Sequence, residues 1–156
     1  MKLFTLAAAA LAMASAAPAL AQNVEKVGPA GGRILTAAKV KAGATTVYLS
    51  GNLASPATPG GSDYGDTKTQ TISTLKKIKE LLAAHGMTMK DIVRMDAYLV
   101  AAPGMDGKMD FAGFNAGFAE FFNNAENPTT TTRTTMQISA LAGPQFLVEL
   151  TVIAAK

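Results

Sequence analysis

The last two dozen residues constrain this chain most. Arg133-Thr-Thr-Met-Gln-Ile-Ser139 and Gln145-Phe-Leu-Val-Glu-Leu-Thr-Val-Ile-Ala154 are rich in β-branched and apolar residues. They flank a turn signal at Gly143-Pro144. Side chains along a strand alternate between its faces. Thr134, Met136 and Ile138 therefore share one face of the first run, and Arg133, Thr135, Gln137 and Ser139 the other. In the second run Phe146, Val148, Leu150 and Val152 share a face, with Glu149 opposite them between Leu147 and Thr151. The pattern predicts a β-hairpin with a longish loop. An arginine opens one strand and a carboxylate sits midway along its expected partner. A carboxylate inside an apolar strand is costly unless something satisfies it.

The chain ahead of this segment alternates between strand and helix signals. Residues 22–32 are small and Gly-rich and predict an irregular lead-in. Arg33 to Lys41 and Thr46 to Ser50 predict two strands. Gly51 to Gly65 holds Pro56, Pro59, Gly60 and Gly61, too many breakers for a regular element. A loop that long in a small domain is often functional. Asp66 can cap a helix whose Ile72, Leu75, Ile78 and Leu82 recur at helical spacing, and His85-Gly86 can stop it. Met89 to Val100 predicts a strand. Met109 to Asn123 predicts a second helix, with Phe111, Phe114, Phe118, Phe121 and Phe122 in one stripe. Such a stripe is far more often core than a cofactor box. The order β-β-α-β-α-β-β implies an α+β fold: a single-layer mixed sheet with two helices on one face. The other face is expected to carry Arg133, Thr135, Gln137 and Glu149 among Leu147 and Ile153. Association of copies through that face would cover its apolar area.

Residues 1–21 have one lysine, a short Ala-rich apolar run and a small-x-small end at Ala19-Leu20-Ala21. This predicts a cleaved secretory signal, a single domain over residues 22–156, and a periplasmic or secreted protein with no membrane anchor after cleavage. The formal net charge is only +3 and no polybasic run is present, so nothing points to nucleic acid. With no cysteine and one histidine, thiol catalysis, thiolate metal sites and haem attachment through cysteine are excluded. No His, Asp and Glu cluster suggests a metal. His85, at a helix end, suits an interaction with terminal carbonyls better than catalysis.

Several segments, in order, resemble the reactive intermediate deaminase family (RidA, also called YjgF). They are Val47-Tyr-Leu-Ser50-Gly51-Asn52; Gln70 through Gly86 with Asp91-Ile92-Val93; Asp110-Phe-Ala-Gly-Phe-Asn115 with Phe121-Phe122; and Pro128, Arg133-Thr-Thr, Val148-Glu149-Leu and Ile153-Ala154. The resemblance spans roughly Arg33 to Ala154. It implies a chorismate-mutase-like homotrimer with a pocket at each subunit interface. It also implies cofactor-independent hydrolysis of amino-acid-derived enamines and imines to 2-oxo acids and ammonia. By the same resemblance Arg133 grips the substrate carboxylate and Glu149 acts as general base or positions water. Ser50 and Asn115, with backbone near Gly51 and Thr135, line or support the pocket. Plain structural roles are the alternatives: Arg133 in an ion pair, Glu149 paired with Arg133 or Arg94, Asn115 bridging a loop, Ser50 bonding local backbone. The chain departs from the family in having Ala30 after Gly28-Pro29 where a tyrosine is usual, Asn52 for glutamine, and Thr135 for a frequent cysteine. A carboxylate-binding module without turnover, or a holdase-type interaction protein, is the rival reading on the same fold.

Overall fold

A computed structural model describes residues 23–156; the expected signal segment, residues 1–21, lies outside the described residues. The strands are β1 (Val24–Val27), β2 (Ala37–Val40), β3 (Thr46–Leu53), β4 (Ile92–Leu99), β5 (Thr132–Gln137) and β6 (Val148–Ala155). The helices are α1 (Thr67–Ala84) and α2 (Phe111–Ala119). β4, whose apolar residues alternate most cleanly, takes a central place. Its Val93, Met95, Ala97 and Leu99 are buried, and it lies between β6 and β5 in a sheet ordered β3-β6-β4-β5. β4 runs parallel to β5 and antiparallel to β6. The two helices cover one face. Leu75, Ile78 and Leu82 of α1, with Phe114 and Phe118 of α2 and Phe122 just beyond, pack on Met95, Leu99, Leu150 and Val152. Burying each such side chain contributes about 1.5–3 kcal/mol. The α+β class stands as the sequence pattern implies; of the phenylalanine stripe, Phe114, Phe118 and Phe122 form core, Phe121 packs partly against it, and Phe111 is exposed.

The helix ends follow local chemistry. The Asp66 carboxylate accepts from the Thr69 amide at 2.8 Å, and this bond holds its pKa below the ordinary value. Gly86, at φ +67°, takes the left-handed turn after α1. α2 is shorter than the expected Met109–Asn123. The Asp110 carboxylate caps it through the Gly113 amide at 2.8 Å, and a left-handed Asn123, φ +54°, turns the chain so that Phe122 still reaches the core. The strand expected from Met89 begins as a single 3₁₀ turn, Met89–Asp91, because Thr88 and Asp91 form a capping box there.

Two strand assignments are corrected. The lead-in is not irregular: β1 pairs antiparallel with β2 in a separate two-stranded sheet, and β2 is only part of the strand expected over residues 33–41. Four residues running into Gly28-Pro29 carry too little periodicity to register as a strand. Tertiary contacts supply the rest: the Lys26 ammonium donates to the Lys90 carbonyl at 2.7 Å and the Thr130 carbonyl at 2.8 Å. The second correction concerns the C-terminal hairpin. β5 and β6 do not pair, because β4 lies between them, and residues 138–147 step across it. Alternation assigns a residue to a face but does not choose the strand's neighbour. The β4–α2–β5 crossover, which a parallel pair requires, claims β5 for β4.

Two outcomes test this account. A Cβ at Gly117 would fall 2.8 Å from Thr71 Cβ and 3.0 Å from the Lys68 carbonyl oxygen, so the glycine sets the close approach of α2 to α1. Gly117→Val should therefore destabilise the fold by about 1–3 kcal/mol, read as a lower urea midpoint at unchanged slope. The second concerns Lys26, whose pKa burial pushes from 10.5 down to about 8, with Asp91 opposing the shift. Between those two values the unfolded chain holds a proton that the folded chain has released, so this group's contribution to stability rises with pH. The stability difference between the parent and Lys26→Met should climb across that window. A flat difference would mean that the ammonium stays hydrated.

Candidate functional site

Arg133 enters the site from β5. It stands beside Met95 in the register, and Met95 points into the helix-covered core. Its guanidinium carbon lies 4.5 Å from the Phe118 ring centre and 4.9 Å from that of Phe114. The rings offer their electron-rich faces to the cation. Arg133 Nη2 donates to Asn115 Oδ1 at 2.8 Å, and Asn115 Nδ2 donates to the Phe111 carbonyl at 2.9 Å. The second bond fixes which way the amide points, so Asn115 bridges its own helix turn and orients the arginine at once.

What the guanidinium lacks is a counter-ion. The ion pairs among the described residues join Lys39 to Glu25, Lys68 to Glu120 and Arg94 to Asp96. Arg133 Nη1 is buried with no hydrogen-bond partner, and so is the Thr135 hydroxyl two residues along the same strand face. Burial lowers the Arg133 pKa to about 10, and the charge of Arg33 adds to the shift. A buried cation with an unmet donor is costly. An anion with two acceptor oxygens would satisfy it, and a guanidinium fork suits a carboxylate.

Ser50, Gly51 and Glu149 gather elsewhere. β3 bulges between Leu49 and Asn52, and Asn52 Nδ2 secures the bulge by donating to the Ser50 carbonyl at 2.7 Å. A Cβ on Gly51 would collide with the Glu149 carboxylate, so only glycine lets that carboxylate lie against the β3 backbone. Glu149 stands beside Tyr98 and Leu53 in the register, on the face away from the helices. It makes no ion pair among the described residues. Arg94 instead binds Asp96 and donates to the Thr134 hydroxyl at 2.7 Å.

Arg133 and Thr135 therefore do not share the open face with Glu149, as the alternation pattern alone implies. They face the helix layer. Within one chain Arg133 and Glu149 lie on opposite faces of the sheet, on strands separated by β4. The candidate residues form two groups: Arg133, Asn115 and Thr135 by one edge strand, β5, and Ser50, Gly51 and Glu149 by the other, β3. Sequence reasoning missed Phe114 and Phe118 as the guanidinium's platform, since core and platform use the same helical spacing. It also missed Arg33, which sits in an aperiodic segment.

The class is an α+β protein with two helices on one face of a four-stranded sheet, and on an edge strand lies a half-buried arginine with no acidic partner among the described residues. Residues 36–156 match the profile of a family described as endoribonuclease L-PSP. The chain belongs to that family, which is the RidA/YjgF family that the sequence resembles. A RutC family protein of Sulfurisphaera tokodaii is 33% identical over 113 residues, 71% of this chain and 80% of that protein. One from Pyrococcus horikoshii is 29% identical over 117 residues, 75% and 83% of the two chains. Among solved structures, a Rid-family protein of unknown function, YyfB from Yersinia pestis, covers 86% of this chain and 100% of its own at a TM-score of 0.68 and 24% identity, a likeness of fold. E. coli TdcF with bound serine covers 75% of this chain and 84% of its own at a TM-score of 0.58 and 26% identity.

Exchanging a half-buried cation that has no ion pair for an apolar side chain of similar reach removes a desolvation penalty. Arg133→Met should therefore melt at or above the parent temperature in calorimetry. Small carboxylates that raise the parent melting temperature by mass action should leave the variant unchanged. A variant melting several degrees lower would assign Arg133 to structure.

Proposed function

We propose that this protein hydrolyses amino-acid-derived imines and enamines to 2-oxo acids and ammonia, without a cofactor, at a site completed between the subunits of a homotrimer. The observation that carries the reading is the Arg133 guanidinium: half-buried with Nη1 sealed from solvent, backed by two phenylalanines, oriented by Asn115, and short of one hydrogen-bond partner. A 2-imino acid brings a carboxylate to that donor, and the Thr135 hydroxyl stands ready to bond it as well. The serine in the TdcF structure is a small carboxylate-bearing ligand on a related fold, which supports the ligand class.

Hydrolysis then needs one positioned water. Glu149 of the partner subunit accepts its proton as the water oxygen bonds to the imine carbon. Glu149 returns that proton to the nitrogen and then passes it the second hydroxyl proton as the C–N bond breaks. Nitrogen so leaves as ammonia, the carbon becomes the ketone of a 2-oxo acid, and Glu149 ends as it began. No electrons are transferred, so no redox partner is needed. Ser50 and the backbone at Gly51 shape the wall on the Glu149 side.

The division of the site supports a ring of subunits, and three is the number that the family resemblance implies. β3 and β5 are the two edges of one sheet. A head-to-tail ring sets the β3 edge of one subunit near the β5 edge of the next and leaves neither half alone. The same association would cover the open face, where Tyr48 is 74% exposed. Residues 1–21 would direct the protein to the periplasm or beyond. The rival reading, carboxylate capture without turnover, draws on the separation of Arg133 from Glu149 within each chain and on Ala30 in place of the family tyrosine.

The test follows the decay of 2-iminopropionate generated in situ by an amino-acid oxidase. Arg133→Ala should abolish the acceleration. Glu149→Gln should slow turnover about 10²–10⁴-fold while sparing carboxylate binding. Co-refolding the two inactive variants should restore roughly a quarter of parent activity, because random assortment rebuilds that share of shared sites. A monomer in sedimentation analysis, or no complementation between folded variants, would overturn the shared site. No acceleration by the parent would leave capture alone.

A further inference from the structure

Three polar side chains of α1 bond backbone outside the helix, and two of them reach segments that border Glu149. Gln70, Ser73 and Lys77 stand at i, i+3 and i+7, on one side of the helix. Gln70 is buried, with both its N–H groups and its oxygen engaged. Nε2 donates to the Gly65 carbonyl at 3.1 Å and the Gln145 carbonyl at 2.9 Å, and Oε1 accepts from the Leu147 amide at 2.8 Å. Ser73 Oγ accepts from the Ser55 amide at 3.0 Å and donates to the Ser55 carbonyl at 3.3 Å. The half-buried Lys77 ammonium donates to the Leu53 carbonyl at 2.7 Å. A charged donor makes this bond stronger than those of Ser73.

Leu53 stands opposite Glu149 in the β3–β6 register, just past the bulge between Leu49 and Asn52. Leu147 lies two residues ahead of Glu149, at the entry to β6. The Glu149 carboxylate lies against Gly51 and has no ion pair among the described residues. Its place therefore depends on where the two strand backbones put it. A group that handles a proton must be held to a fraction of an ångström, and the residues that support it matter as much as its own contacts. Gln70 secures the β6 side from within the core. Lys77 secures the β3 side, at the carbonyl that faces Glu149 in the register.

We infer that Lys77 is a positioning residue for Glu149: its bond to the Leu53 carbonyl fixes the stretch of β3 against which the carboxylate lies. This rests on the hydrolase reading for any effect on turnover, while the placement of the carboxylate is a property of the fold. Ser73 reaches only Ser55, in the loop beyond β3, and has no such role. Arg133 stands on β5, separated from β3 by β6 and β4, so its grip on a substrate carboxylate is independent of Lys77.

The experiment compares the parent with Lys77→Met, Lys77→Arg and Ser73→Ala; neither position belongs to the apolar core. The first readout is hydrolysis of 2-iminopropionate. Lys77→Met keeps the length of the side chain but loses the donor. It should lower kcat about tenfold or more with KM near the parent value, because small misplacements of a reacting group act on the chemical step. Lys77→Arg should recover part of the loss, and Ser73→Ala should match the parent. The second readout needs no turnover. In protein labelled at the glutamate side-chain carboxyl carbon, the Glu149 NMR signal is the one missing from Glu149→Gln. It should move in Lys77→Met, return toward its parent position in Lys77→Arg, and hold still in Ser73→Ala. That pattern, with no imine hydrolysed by the parent, would sustain the positioning and sink the hydrolase reading. Turnover by the parent with kcat unchanged in Lys77→Met would sink the positioning and leave the hydrolase standing. A signal unmoved in Lys77→Met would overturn it with or without turnover. Equal losses in Lys77→Met and Ser73→Ala would do the same, since α1 would then only brace the loop.

Discussion

The packing of Phe114, Phe118 and Phe122 against β4 and β6 serves the core and the site together. Phe118 and Phe122 stack with ring centres 4.4 Å apart, and both are buried. The same Phe118, with Phe114, presents its face to the Arg133 guanidinium. The arginine therefore cannot be repositioned without disturbing the hydrophobic layer that holds the helices on the sheet. Gly117 belongs to the same arrangement, because the absence of a side chain there lets α2 approach Thr71 of α1. Rigid packing of this kind holds a charged group in one geometry without help from a counter-ion.

Electrostatic cost sets Arg133 apart from the other charged residues. The surface pairs Lys39–Glu25 and Lys68–Glu120 lie in solvent, where such contacts contribute little. Arg133 is the contrasting case: partly desolvated, near a like charge, and with one donor unmet. Marginal stability leaves small room for such a penalty, so a group that keeps it is a strong candidate for binding an anion. The Glu149 side depends on backbone shape instead, since the bulge in β3 and the bare Cα of Gly51 let a carboxylate lie against the strand.

Much of this was legible in residue patterns. The Asp66 cap, the Gly86 stop, the phenylalanine core and the buried face of β6 all follow from local chemistry or from a period of two or 3.6 residues. The ordered segments that resemble the RidA family fall within the matched residues 36–156 or just ahead of them. β1 escaped notice because Val24–Val27 pairs only with partners ten to sixteen residues away and is tied to the rest of the domain through its own Lys26, which donates to the Lys90 and Thr130 carbonyls.

By itself the sequence determined most of the element types, the caps of α1, the family resemblance and which residues share a strand face, because these depend on neighbours within a few positions. Only the tertiary structure decided that β4 separates β5 from β6, that Arg133 turns toward the helices, and that Glu149 turns away. The reason is physical. Alternation is symmetric between the two faces of a strand and silent about its neighbours. That choice is made by the burial of whole layers, here the phenylalanines of α2 over β4, which no short window of residues contains.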